Sequence, residues 1–376
     1  MSFNEEMYEI MSWLSTKPLY RLLTMAKSTL EYLSETHFAK KQSHNSCMKA
    51  EESLIIQEDS SLRERVQKLR VCFLPENRSY NDVPKDFIMF LVEKGRILAS
   101  NNGLFLCRTI DSSVPTELFL CNPSTRTWLP LKLPSEELAK IFQDNGELKV
   151  ALVCGNVFGK KSENFPLDCT LLLFNEHDLE DWNSGYDVYM LEEGEWILIS
   201  ENIKTKGGDL EFDYQVCCED GLYILAEGCS PHVFHYDVEN RTSRDIALPE
   251  YNEEFGYLDI GCFRVFGWER KEGNSWFDSI CLVKCFDNLI TIWVLEHNTT
   301  LSKEKKSSSW RWLSNIHIED DLCIEDSRWT DSFTILEKQL IFADLDGNIY
   351  RYYLEGKDYG NLDKIYEYGY SSSLKL

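Results

Sequence analysis

From Val66 onward the chain is cut into short apolar runs separated by turn residues, and this constrains its fold more than any other feature. The runs are Phe87–Val92, Gly103–Cys107, Leu118–Cys121, Leu148–Cys154, Thr170–Phe174, Tyr186–Leu191, Leu222–Ala226, Val233–Asp237, Ile290–Leu295 and Leu340–Ala343. Runs of about four to eight residues rich in β-branched and aromatic side chains read as strands. Asp346-Gly347, lying between two of them, is a two-residue hairpin signal. No long amphipathic helix interrupts the region, so a parallel α/β sheet is not expected.

A weak repeat runs through these strands. One unit joins Asn102-Gly103-Leu104-Phe105-Leu106 to Leu118–Pro123 and Trp128-Leu129-Pro130. Another joins Asp220–Leu225 to Val233–Asp237 and Ile246-Ala247-Leu248-Pro249. Tyr186–Met190 leads to Trp196, and Ile290–Val294 leads to Trp310 and Trp312. Each unit reads as strand, turn, strand, then an aromatic or prolyl closing signal. At ~45–50 residues per unit, residues 66–376 make about six blades of a β-propeller, the architecture that radial β repetition favours.

Composition excludes several function classes. With 10 Trp, 18 Tyr and 20 Phe the chain is too aromatic for an acidic disordered protein. It carries 39 basic and 63 acidic side chains, a formal charge of −24. That balance argues against nucleic acid and against an anionic membrane surface as partners, since both need clustered Lys and Arg. No apolar run approaches the ~18–20 residues of a membrane span. Met1-Ser2-Phe3-Asn4-Glu5-Glu6 does not open like a signal peptide. The expectation is an intracellular protein, in cytoplasm and/or nucleus. Its 13 cysteines, an odd number with no Cys-x-x-Cys, are expected to be reduced and mostly buried.

The first 45 residues differ. Met7, Ile10, Met11 and Leu14 fall on one helical stripe, Pro18 starts a second helix, and Leu19, Leu22, Leu23 and Ala26 form its stripe. Leu30 and Leu33 suggest a third short helix. Helices this short need a packing partner. Residues 46–65 are polar and charged and read as a linker.

In this setting the sequence resembles plant F-box proteins with a kelch-like F-box-associated domain. Glu9–Leu19 resembles the family's "ILSRLPVKSL", and Lys27-Ser28 through Phe38 its "KSW…SDPHF". Leu118–Leu129 resembles "LFVCNPSTGEWVPL", and Tyr186–Trp196 "VEVYSLKTGSW". Gly221–Pro249 resembles "GALYWL…FDLE…LP", and Ile290–Leu295 "ISIWVM". The blocks keep the family's order over roughly nine tenths of the chain.

The resemblance implies a mainly β chain with a degenerate three-helix F-box at 1–45, a linker at 46–65 and a kelch-like propeller at 66–376. It implies a non-catalytic substrate receptor of an SCF-type cullin–RING ubiquitin ligase, with no cofactor. Ile10, Leu14, Pro18, Leu19, Leu22 and Thr29 would meet the Skp-type adaptor, which links to the cullin, and the propeller would hold a target protein. Two departures stand out: the family's opening Leu-Pro is replaced near Glu5-Glu6-Met7, and Thr29 stands where the family has Trp. A propeller enzyme, such as an oxidase or glycosidase, and an F-box relic serving as a ligase-independent scaffold are the alternatives.

Motifs suggestive of chemistry fail on spacing. Gly155–Ser162 has three residues between its glycines where a P-loop has four, and Pro166 denies the following helix. Around Asp346-Gly347, an EF-hand count would put Phe342 and Tyr353 at ligand positions. His232 and His235 are three apart on a strand, so alternation sends them to opposite faces. His177, between Glu176 and Asp178, reads as a loop residue. No metal site is expected. The acidic groups carry more information: Glu176–Glu195 holds eight carboxylates and no Lys or Arg, and Glu319-Asp320-Asp321 is a second group. They read either as a solubilising face or, through Asp178, Glu180, Asp181, Glu319, Asp320 and Asp321, as a surface for a basic target.

Overall fold

In the computed structural model the described residues are the strands between Leu54 and Lys375 and the short turns joining some of them. Residues 1–53, with the three expected N-terminal helices, and the longer connections lie outside the described residues, as does the run Phe87–Val92. Each of the other apolar runs falls on a strand.

The strands form six sheets in chain order. β1 (Leu54–Glu58) and β2 (Val71–Leu74) pair antiparallel. β1 lies inside the stretch 46–65 that composition marks as a linker, its Leu54-Ile55-Ile56 core outweighed there by charged neighbours. Five four-stranded antiparallel sheets follow, each strand pairing with the next along the chain. The first holds β3 (Gly95–Asn101), β4 (Leu104–Thr109), β5 (Leu118–Asn122) and β6 (Thr127–Leu131). The second holds β7 (Val150–Cys154), β8 (Cys169–Asp178), β9 (Ser184–Glu192) and β10 (Glu195–Lys204). β11 (Gly208–Cys218), β12 (Gly221–Gly228), β13 (His232–Asp237) and β14 (Thr242–Ala247) make the third. β15 (Phe263–Glu272), β16 (Ser275–Phe286), β17 (Leu289–His297) and β18 (Ser308–His317) make the fourth. β19 (Phe333–Leu336), β20 (Gln339–Ala343), β21 (Ile349–Tyr353) and β22 (Leu362–Tyr366) make the fifth. Finally β23 (Leu374–Lys375) returns to pair with β1, setting Gln57 opposite Lys375 and Glu58 opposite Leu374. The sheet of β1 and β2 is thus knit from both ends of the strand region.

The sheets stack because both faces of their strands are apolar. In β7 and β8, Val150, Leu152, Leu171 and Leu173 pack with Leu104, Leu106, Leu118 and Leu120 of the preceding sheet. The alternate residues Ala151, Val153, Leu172 and Phe174 pack with Leu222, Ile224 and Phe234 of the following one. In β12 the same split sends Leu222, Ile224 and Ala226 one way, and Tyr223 and Leu225 the other, toward Val265, Leu282 and Ile292. Continuous apolar runs, rather than alternating ones, are the sequence mark of such two-sided burial.

The first strands of successive sheets, β3, β7, β11, β15 and β19, lie beside one another, and β3 also approaches β11. That places first strands innermost and fourth strands outermost, the arrangement of a β-propeller. The outer strands are tied across blades by tryptophan. Trp196 Nε1 in β10 donates to the carbonyl of Lys132, just past β6, and Trp310 Nε1 in β18 donates to that of Ala247 in β14 at 2.8 Å.

Tight turns are set by residue type. Gly221, at φ +145°, begins β12 where a Cβ would stand 2.3 Å from the Tyr236 carbonyl oxygen. Only glycine fits that approach.

Candidate functional site

Of the site residues read from the sequence, only Asp178 is in a described strand; it ends β8, opposite Ser184. Ile10, Leu14, Pro18, Leu19, Leu22 and Thr29, and likewise Glu180, Asp181, Glu319, Asp320 and Asp321, lie outside the described residues.

The acidic stretch that begins at Glu176 is not uniform. Glu176, on β8, forms an ion pair with Lys149, which immediately precedes β7. Tyr186 of β9 joins both, with its hydroxyl 3.3 Å from Glu176 Oε1 and 3.4 Å from Lys149 Nζ. The same hydroxyl accepts the Leu210 backbone N–H of β11 at 3.2 Å, linking second blade to third. The Lys149 ammonium also lies over the Tyr186 ring, 5.2 Å from its centroid. Burial alone would lower the lysine, but the hydrogen bond and charge of Glu176, with Tyr186, hold it above its usual range. Burial pushes Tyr186 up. The ion pair of Lys149 and Glu176, closed by the Tyr186 hydroxyl that also takes the Leu210 N–H, makes the cluster an interblade tie. No sequence signal marked Lys149; it becomes visible only when β7 and β8 are paired.

Further along, Asp187 Oδ1 accepts the Asn202 backbone N–H at 2.9 Å, and His177 Nε2 stands 2.9 Å from Asn202 Oδ1. His177 is therefore a strand residue on β8, not the loop residue its acidic neighbours suggest. Asn202 itself has φ +54°, in the left-handed region that Asn tolerates best after Gly. Glu192 and Glu195 remain exposed on either side of the hairpin at Gly194.

Toward the axis, three inner strands meet at polar side chains. Asn101 Nδ2 of β3 donates to the Leu152 carbonyl of β7 at 3.2 Å, and Cys217 Sγ of β11 donates to the same carbonyl at 3.3 Å. Gln215 Nε2 donates to the Val150 carbonyl at 2.7 Å. Burial pushes the Cys217 thiol up to about 12, against a lowering hydrogen bond from Asn101.

The two histidines of β13 separate as alternation requires. His232 faces Asp245, 3.2 Å away, while His235 lies against Tyr223 at a ring-centroid distance of 4.5 Å, tilted by 41°, and accepts Arg244 Nε at its Nδ1, 3.1 Å away. Among the described residues no group of three or more His, Cys, Asp or Glu is placed to hold a metal ion. Nor is any helix there long and apolar enough to cross a membrane.

One expectation is corrected. Cys107, Cys121, Cys217, Cys218 and Cys281 are free thiols, but Cys169 is disulfide-bonded. The residue opposite it in the β7–β8 register is Cys154, and their 15-position separation in sequence conceals that adjacency.

Taken together, the described residues form an all-β fold of propeller type, and two of its polar clusters, at Tyr186 and at the Leu152 carbonyl, tie blades to one another. No family model and no curated protein matches the chain. Among solved structures it is similar to a puromycin-hydrolyzing peptidase of Mycobacterium tuberculosis, at 9% identity and a TM-score of 0.37. That match covers 84% of this chain, which spans 45% of the peptidase. The β-propeller domain of the Trilobed protease from Pyrococcus furiosus gives 8% identity, 84% and 94% coverage and a TM-score of 0.33. TolB from Acinetobacter baumannii gives 12% identity, 75% and 83% coverage and a TM-score of 0.17. The propeller assignment stands on strand order and inner-strand adjacency in this chain, not on those scores.

Proposed function

We propose that this protein is the substrate-recognition subunit of an SCF-type cullin–RING ubiquitin ligase, with an F-box at 1–45 binding the Skp-type adaptor and a kelch-like propeller holding the target. The observation that carries this reading is where the resemblance blocks fall on the blades. Leu118–Leu129 spans β5 and enters β6; Tyr186–Trp196 spans β9 and enters β10. Gly221–Pro249 spans β12 to β14, and Ile290–Leu295 lies in β17. Each of these four blocks contains the third strand of its blade, so the motif recurs at equivalent places.

The target surface in this reading is acidic. β8 and β18 are a second and a fourth strand, and in an up-and-down blade these run in the same direction. Their C-terminal ends therefore open on one face; Asp178 ends β8 there, and in this reading Glu180, Asp181, Glu319, Asp320 and Asp321 contribute to the same target surface. Such a face favours a basic target.

Co-purification tests the proposal. The full chain should retain the Skp-type adaptor and cullin, and Leu19→Asp should abolish retention while circular dichroism stays unchanged. Thr29→Trp should tighten adaptor binding by about 1–2 kcal/mol, the scale of burying one large side chain. A full chain that retains no adaptor, with Thr29→Trp restoring none, would exclude the ligase role.

A further inference from the structure

We infer that Cys154 and Cys169 form a reversible cross-strand disulfide, a redox-responsive staple between the innermost strand of the second blade and its neighbour. Cys169 is disulfide-bonded, and Cys154 and Cys169 are the final register pair of β7 and β8, following Val153 and Thr170. Residues directly opposite in an antiparallel pair have Cα atoms about 4.5–5.5 Å apart, inside the roughly 4.4–6.8 Å span of disulfides.

A second cysteine pair in the same protein supplies the contrast. Cys107 lies opposite Phe119, and Cys121 opposite Phe105, so these two are diagonal across β4 and β5. Diagonal neighbours stand about 7–8 Å apart, beyond easy bridging. Their thiols interact by hydrogen bonding, yet both remain free. Both are also fully buried, whereas Cys169 is only half-buried and so within reach of a small thiol. Of these two pairs, register and access together favour Cys154 and Cys169.

The exchange balances without further reagents beyond a glutathione-type disulfide. The thiolate of one cysteine attacks oxidised glutathione, releasing one reduced glutathione and leaving a mixed disulfide. The second cysteine attacks that mixed disulfide at the protein sulfur and releases the other. Two electrons pass from the protein thiols to glutathione, and the two thiol protons end on the two glutathione molecules. A disulfide at the end of a strand pair fixes that end; once reduced, it is held by backbone hydrogen bonds alone. The staple sits at a first-to-second strand connection, on the propeller face opposite the ends of β8 and β18.

The test uses the full chain, equilibrated in buffers of varied reduced-to-oxidised glutathione ratio, alkylated under native conditions and digested. The expected result is a single linked peptide pair, Cys154 to Cys169, that disappears as reduced glutathione increases and returns when the oxidised form is restored. On reduction, amide exchange at Val153, Cys154, Cys169 and Thr170 should rise by roughly tenfold while the β4–β5 amides stay unchanged. In Cys154→Ser, Cys169 should be alkylated natively and no linked peptide should form. Linkage of Cys169 to another cysteine, no linkage at any ratio, or linkage reducible only in denaturant would each overturn the inference.

Discussion

At Cys217 three inner strands share one carbonyl, that of Leu152, and the thiol pays for its place with a hydrogen bond to it. In an unfolded chain this thiol would lose its proton near its ordinary value of 9.0; in the fold it keeps it to about 12. Between those values the unfolded state binds fewer protons than the folded one. Stability contributed by the neutral thiol is therefore complete below pH 9 and is lost as pH rises toward 12. The slope can reach about 1.4 kcal/mol per pH unit. Tyr186 and Tyr236, both raised first by burial, act in the same direction. Urea midpoints measured from pH 8 to 11 should fall, and Cys217→Ala should flatten part of that fall. Parallel curves for the two proteins would show that the thiol does not titrate late. Nothing in the Cys217-Cys218 dipeptide predicts this, because the burial comes from β3 and β7, which are distant in sequence.

Strands are the scale at which the sequence speaks most clearly. Runs with strands buried on both faces, such as those containing Val150–Val153 and Leu222–Ala226, were legible because each carries enough apolar residues to stand out alone. The long inner pair β15 and β16 was less so: Trp268-Glu269-Arg270-Lys271-Glu272 is charged, and Ser275-Trp276-Phe277-Asp278 is mixed. No apolar run marked this pair, whose hairpin is seen only in the register that sets Glu272 opposite Ser275. Two of the tryptophans that close the repeats, Trp196 and Trp310, have a mechanical role. Trp196 and Trp310 occupy outer strands two blades apart and each donates to a carbonyl of the preceding blade. Trp196→Phe keeps an aromatic side chain but removes the indole N–H, leaving the Lys132 carbonyl without this donor, and should cost about 1 kcal/mol by urea unfolding; Trp310→Phe should cost the same. The double variant should show the sum, since the two ties lie in different interfaces. A loss well below that for each single variant would mean that the contact is decorative.

For the molecule as a whole, the order of strands was readable and the closure was not. Leu54-Ile55-Ile56 is a brief apolar island among charges, and Leu374-Lys375 is too short to read as a strand at all. Their pairing depends on the ring bringing the two ends of the strand region together, which no local pattern encodes. The candidate site was legible only as composition: acidic segments could be located, but pairing of Glu176 with Lys149 required the β7–β8 register. The sheets form one propeller whose β1–β2 sheet is completed by β23. The most direct measurement is thermal unfolding and solubility of a chain lacking everything from Phe333, which removes β19 to β23. The truncation should expose sheet faces and edges, abolish the cooperative transition and cause aggregation. A soluble fragment ending at Ser332 that melts in a single cooperative transition would contradict it.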